Sequence, residues 1–284
     1  MPVTIREALE LAGKKLRESG ANTPTLDAGV LLAHVTGLDR AGLYRERERV
    51  LAEEVEARFF SLVGRRAAGE PLAYLIGHKE FMGLDFTVNP HVLIPRPETE
   101  LLVEKALELL PPAPVVVDVG AGSGAIAVSL AALCPKAVVY ATDCSQEALA
   151  VAGLNAARHG VANRVFLCPG DMLEPLAGRV QAGGVDLIVA NLPYIPTEDL
   201  LALPREIRLF EPPSALDGGA GGLELYRRLI PAAALLLKKG GYLLMEIGCD
   251  QGRRMVALLA PPVWEAIILQ DLAGLDRLVV ARRV

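Results

Sequence analysis

The residues of this chain best suited to chemistry are Asn191, Leu192, Pro193 and Tyr194. They follow Val185–Ala190, an apolar run that reads as a buried strand. An open α/β sheet places its ligands just past the carboxyl ends of its strands, so a binding wall belongs here. Asn191 brings a carboxamide that both donates and accepts hydrogen bonds. Pro193 stiffens the backbone, and the Tyr194 ring suits packing on a flat polar group. The natural ligand for such a wall is a planar conjugated amine. In isolation the tetrapeptide also reads as an Asx turn followed by proline, since both residues are common in loops.

A second candidate is Asp118-Val119-Gly120-Ala121-Gly122-Ser123-Gly124, which follows one strand and opens a helix. Its spacing is GxGxG, with an acid before the first glycine. A diphosphate wants backbone amides and no neighbouring carboxylate. A carboxylate instead suits a ligand with a cationic end, such as the ammonium of a methionine moiety. Asp143, at the end of the next strand, is placed to accept hydrogen bonds from ribose hydroxyls. It is also placed to cap the helix starting near Ser145. After the third strand, Asp171 suits the amino group of an adenine, and Met172 suits packing on its face. Together these describe a site for S-adenosyl-L-methionine, with S-adenosyl-L-homocysteine as product. Its expected residues are Gly120, Ala121, Gly122, Ser123, Gly124, Asp143, Met172 and Asn191. No Walker phosphate loop is present.

The elements that position these residues follow from periodicity. Residues 1–71 read as a helical domain, opened by the capping box Thr4–Glu7 and punctuated by Gly20, Pro24, Gly37 and Gly69. Residues 72–96 read as a hairpin linker around Met82-Gly83. Pro95-Arg96-Pro97 is a rigid corner that either lines a ligand site or turns the chain. Residues 97–284 alternate strand and helix and end on two closely spaced strands that should pair antiparallel. The fold class is therefore α/β: a doubly wound, mostly parallel, seven-stranded Rossmann-like sheet behind a small helical bundle. The stretch from about Ile195 to Gly222 is long for a loop and reads as a substrate-covering segment.

Composition narrows the class further. Hydrophobic content of 52% suits a packed core, and a net charge of −5 confines any nucleic-acid surface to a local patch. The four cysteines form no CxxC pair and the four histidines no ligand cluster, so no metal site or disulfide is expected. No secretory signal or membrane-spanning run is found, and a cytoplasmic location is expected.

At this level the chain resembles the HemK/PrmC family of protein-glutamine methyltransferases, over nearly its whole length. The resemblance is carried by Gly69–Phe81, VLIPRPETE at Val92–Glu100, DVGAGSGAIA at Asp118–Ala127, NLPYI at Asn191–Ile195, Glu211–Leu229 and MEIG at Met245–Gly248. It implies methyl transfer from S-adenosyl-L-methionine to the glutamine amide in the GGQ loop of class I peptide-chain release factors. Residues 1–71 would then be a substrate-recognition domain and residues 97–284 the methyltransferase domain. It also implies Asn191 and Tyr194 as catalytic residues. The Asn191 side-chain oxygen and the Leu192 carbonyl would accept the two amide N–H bonds, Pro193 would hold the turn, and Tyr194 would pack on the amide. The partner would be the release factor alone, met by a monomer, without nucleic acid or membrane. Leu192 stands where the family normally has proline, and Gly221 where members often have Asp. Losing that φ restraint predicts a less pre-organised loop. Three alternatives share the motif: methylation of an exocyclic amine on a nucleic-acid base, methylation of a ribosomal-protein glutamine, and a non-catalytic donor-binding module. The acidic charge and the PRPET corner weigh against the nucleic-acid base.

Overall fold

The computed structural model describes residues 3–284. The chain divides into two compact units. The first comprises the N-terminal residues through His78 together with Pro204–Phe210. Its helices are α1 (Ile5–Glu18), α2 (Pro24–Thr36), α3 (Arg40–Arg45), α4 (Glu53–Ala67) and α5 (Leu72–Ile76). Thr4 and Glu7 form the expected capping box, each side chain bonding the other's backbone N–H. Gly37 ends α2 in the left-handed conformation. The short α3 and α5 go beyond the sequence expectation. Asp39 caps α3 by accepting from the Gly42 N–H at 2.6 Å, and helices of six and five residues are too brief to show a period. Ile5, Leu16, Leu31, Leu32, Phe59 and Val63 fill this unit's core. Beside them the buried Arg66 donates to Asp27 at 2.7 Å and to Glu206 at 2.9 Å. Glu206 lies on a short helix at Arg205–Phe210, α9 in chain order.

The second unit, Lys79–Leu203 with Glu211–Val284, has as its first element a hairpin of β1 (His78–Phe81, whose first residue belongs to the helical unit) and β2 (Leu84–Thr87), and the turn residues Met82 and Gly83 both have positive φ. That is the turn geometry a two-residue hairpin favours. After α6 (Glu100–Leu109) come β3 (Val115–Val119), α7 (Ala125–Leu133), β4 (Val138–Asp143), α8 (Gln146–Arg158), β5 (Val165–Pro169) and β6 (Val185–Ala190). The chain closes with α10 (Glu224–Leu236), β7 (Leu237–Glu246), α11 (Gly252–Val256), β8 (Trp264–Gln270) and β9 (Asp276–Arg283).

Among the described residues, seven strands form one sheet in the order β5-β4-β3-β6-β7-β9-β8. β3 to β7 all run parallel to one another, and β9 runs antiparallel to both β7 and β8. The sheet is thus mostly parallel with one reversed strand, and α/β as expected. Its central strands are buried on both faces, which is why they read as continuous apolar runs. The strand order reverses between β3 and β6, so two loops diverge there and leave a crevice. Among the described residues no helix is long and apolar enough to cross a membrane.

Candidate active site

The register at the reversal point aligns the two candidate loops. Val119 at the end of β3 pairs with Ala190 at the end of β6. The next residues, Gly120 and Asn191, therefore leave the sheet side by side. Gly120 has φ +77°, and a Cβ there would fall 3.0 Å from the Leu192 side chain. Only glycine lets the two loops approach so closely. The backbone N–H groups of Gly120 and Ala121 both donate to the Thr142 carbonyl, tying the loop to the end of β4.

A cavity of about 310 Å3 opens here. Gly120, Ala121, Gly122, Ser123, Asp143, Met172, Asn191, Leu192 and Pro193 all line it, with Arg96 and Thr99 from the PRPET corner. Two expected site residues do not. Gly124 sits at the start of α7, packed so closely on α8 that an added Cβ would meet Ala152 at 3.0 Å. Tyr194 lies behind the wall, and its hydroxyl donates to Glu246 Oε1 at 3.4 Å.

The acids divide by environment. Asp143 accepts from the Gly122 N–H at 2.8 Å and the Ser145 N–H at 2.9 Å, so it braces the glycine loop against α8. The cap of α8 is Ser145, which accepts from the Ala148 N–H. Each Asp143 oxygen keeps lone-pair capacity for a ligand hydroxyl. Asp171 lines the cavity, but its carboxylate pairs with Arg228. Asp118 is fully buried beneath the loop rather than on the cavity wall. Its Oδ2 accepts from the Ala127 N–H at 3.0 Å, while Oδ1 has no partner. Burial, helped by the nearby Asp143 charge, pushes its carboxyl up to about 7. The carboxylate that the sequence offered to a ligand's cationic end therefore lies off the cavity wall, where it anchors the first turns of α7.

Asn191 is oriented by the PRPET corner: its Nδ2 donates to Thr99 Oγ1 at 3.1 Å, leaving Oδ1 free of that contact. Arg96, in the same corner, pairs with the buried Glu211, which also accepts from the Ile94 N–H. The corner thus both lines the cavity and locks to the long loop. That loop folds back on the tetrapeptide. Gly218 N–H donates to the Ile195 carbonyl at 2.8 Å, and Gln251 donates to the Tyr194 carbonyl at 2.8 Å. A Cβ on Gly222 would fall 2.1 Å from that same carbonyl oxygen.

Leu192 replaces a restraint with a bond. Its N–H donates to the buried Tyr226 hydroxyl at 3.3 Å, and that hydroxyl in turn donates to the Glu246 carbonyl. Proline has no N–H to give. The lost φ restraint thus meets a compensating hydrogen bond, which the sequence did not suggest. Sequence reasoning also passed over Thr99, Glu246 and Asn155 as site supports. Asn155, fully buried on α8, donates to the Thr87 and Ser123 carbonyls and so stitches the hairpin to the glycine loop. An Asn on the apolar face of a helix was the signal available for it.

Comparison with known proteins adds an independent finding. Residues 7–77 match the PrmC N-terminal domain, and residues 112–265 match a methyltransferase domain. The release factor glutamine methyltransferase of Moorella thermoacetica is 48% identical, over 99% of each chain. The protein of the same description from Geobacter sulfurreducens is 45% identical, over 98% of this chain and 96% of its own. The crystal structure of the ribosomal protein L11 methylase from Lactobacillus delbrueckii subsp. bulgaricus shares the fold. It has a TM-score of 0.50 and 24% identity, covering 69% of this chain and 83% of that one.

Proposed function

This chain belongs to the release factor glutamine methyltransferases, and we propose that the Asn191–Tyr194 strand end is where it presents the glutamine amide of a release-factor GGQ loop to the methyl donor. The protein is an S-adenosylmethionine-dependent protein-glutamine N-methyltransferase. The observation that carries the site assignment is the level ending of β3 and β6, which sets Asn191 beside the glycine loop.

The residues around the cavity fit that donor. Asp143 and the loop Gly120–Ser123 would hold its nucleoside and amino-acid portions, and Met172 would pack on its base. When bound, S-adenosyl-L-methionine supplies an electrophilic methyl group on a sulfonium centre. The chain's own task is to make a poor nucleophile attack. A carboxamide nitrogen shares its lone pair with the carbonyl, so it reacts only when well aligned and when positive charge on it is favoured. Asn191 Oδ1 and the Leu192 carbonyl accept the two N–H bonds and do both. Tyr194 and the folded-back loop keep the tetrapeptide rigid. The amide proton leaves after transfer, when the nitrogen is far more acidic.

The test is methyl incorporation from labelled donor into purified release factor, ribosomes and DNA, for the native protein and for Asn191→Ala. Label is expected in the release factor only. Asn191→Ala should slow transfer by about ten- to a thousandfold, as for other preorganised electrostatic contacts. Label confined to ribosomes or nucleic acid, or unchanged turnover in Asn191→Ala, would overturn the reading.

A further inference from the structure

We infer that Gln251 is a positioning residue that keeps the Leu192 carbonyl free for the substrate amide, by taking up the backbone N–H that would otherwise close on it. The inference rests on the reading of that carbonyl as one of the two acceptors for the amide. A carbonyl at the end of a buried strand is normally claimed by the neighbouring strand. Among the described residues, however, no donor reaches the Leu192 carbonyl. Something in the fold must hold the neighbouring donor away.

The register identifies that donor. β6 and β7 run parallel and pair Ala190 with Met245, so the residues that follow set Asn191 opposite Glu246 and Pro193 opposite Gly248. Ile247 gives its N–H to the Arg277 carbonyl of β9 at 2.9 Å. Successive residues of a strand turn their backbone groups to opposite sides, so those of Glu246 and Gly248 face the tetrapeptide. A continued parallel ladder would join the Leu192 N–H to the Glu246 carbonyl, and the Gly248 N–H to the Leu192 carbonyl. Tyr226 relays the first of these bonds, its hydroxyl accepting from the Leu192 N–H and donating to the Glu246 carbonyl. The second is diverted. The Gly248 N–H donates instead to Gln251 Oε1 at 2.9 Å, and Gln251 Nε2 donates to the Tyr194 carbonyl at 2.8 Å. The Leu192 carbonyl is passed over.

The Gln251 carboxamide has no freedom to do otherwise. A backbone N–H only donates, so the oxygen end must face Gly248 and the NH2 end Tyr194. Gln251 is 2% exposed. Its own N–H donates to the Gly248 carbonyl at 3.0 Å, and its carbonyl accepts from the Met255 N–H at 2.8 Å in α11. Two glycines make room for the side chain. A Cβ on Gly248 would fall 3.2 Å from the carboxamide, and one on Gly222 would fall 2.6 Å from Nε2. The tetrapeptide is thus held on both sides of the Leu192 carbonyl, at the Leu192 N–H by Tyr226 and at the Tyr194 carbonyl by Gln251.

The experiment compares the native enzyme, Gln251→Met and Gln251→Glu. Methionine keeps the length of the side chain and loses both bonds. Glutamate keeps the acceptor for Gly248 and loses the donor to Tyr194. Turnover on a release-factor substrate, S-adenosylmethionine affinity by calorimetry and stability by urea unfolding are measured for each. Gln251→Met should lower kcat about ten- to a hundredfold, as for other displacements of an aligned acceptor, with donor affinity retained. Gln251→Glu should lose less. A readout free of turnover is the Leu192 carbonyl signal in protein labelled with 13C-carbonyl leucine and 15N-proline. That labelling selects the Leu110-Pro111, Leu192-Pro193 and Leu203-Pro204 bonds, and the Leu192 signal is assigned by its absence in Pro193→Ala. In Gln251→Met it should move to the position of a hydrogen-bonded carbonyl, as the released Gly248 N–H turns to it. In Gln251→Glu it should stay where the native signal lies. A native-like Leu192 signal in Gln251→Met would overturn the inference, as would lost stability with kcat per folded molecule unchanged. Methyl transfer to a different acceptor would overturn the substrate reading alone, and the Leu192 signal would still decide this one.

Discussion

If the Leu192 N–H bond to Tyr226 replaces the restraint of a proline, the two residues must be coupled energetically. The test is a double-mutant cycle on Leu192→Pro and Tyr226→Phe. Tyr226 is fully buried, and its hydroxyl serves both the Leu192 N–H and the Glu246 carbonyl. Removing that hydroxyl leaves the Leu192 N–H unsatisfied, which costs about 1–3 kcal/mol, and deprives the Glu246 carbonyl of a donor for about 1 kcal/mol more. Tyr226→Phe should therefore destabilise the native protein by about 2–4 kcal/mol. In the Leu192→Pro background there is no N–H to leave unsatisfied. The same substitution should then cost only about 1 kcal/mol. Leu192 has no positive φ, so proline meets no backbone conflict of that kind. Any packing lost with the leucine side chain is common to both legs and cancels. The assay is urea unfolding followed by Trp264 fluorescence. Trp264 is the single tryptophan, buried in β8, and so reports on the sheet unit alone. Equal costs in the two backgrounds, within about 0.4 kcal/mol, would refute the compensation.

Other outcomes follow from buried groups and tight backbones. Asp118 is raised to about 7 from 3.8, so between those values the folded state binds more protons than the unfolded one, and stability falls as pH rises from about 4 to 7. The stability lost across that window is about 4 kcal/mol. Asp118→Asn should therefore raise the melting temperature of the donor-free protein more at pH ~8 than at pH ~5. Arg66→Met leaves the buried Asp27 without its cation, and amide exchange should show the helical unit weakened by about 3–5 kcal/mol. Gly222→Ala must displace the Tyr194 carbonyl, because 2.1 Å leaves no room for a methyl group. It should destabilise the sheet unit by about 1–3 kcal/mol in urea unfolding and lower kcat with it.

Much of this protein was legible along the chain, for a local reason. Helix caps, hairpin turns and strand runs are set by neighbours a few residues apart. Hence the Thr4 box, the Met82-Gly83 turn and the alternation through the sheet unit could be read directly. The glycine loop and the Asn191 strand end were also legible, because each is a contiguous motif at a strand terminus. The helices α3 and α5, of six and five residues, were not, being too short for a periodic signal.

The sequence by itself determined which residue types stand at the strand ends. Only the tertiary structure decided which of them meet, because those pairings join residues far apart in the chain. Asp118 is a buried acid rather than a wall residue, and Asp171 is claimed by Arg228, 57 positions away. Glu211 reaches Arg96 across 115 positions, and Thr99 reaches Asn191 across 92. A carboxylate, hydroxyl or carboxamide takes its direction and charge from whatever lies within about 3 Å, at hydrogen-bond distance. Sheet order and register, rather than spacing along the chain, set that neighbourhood.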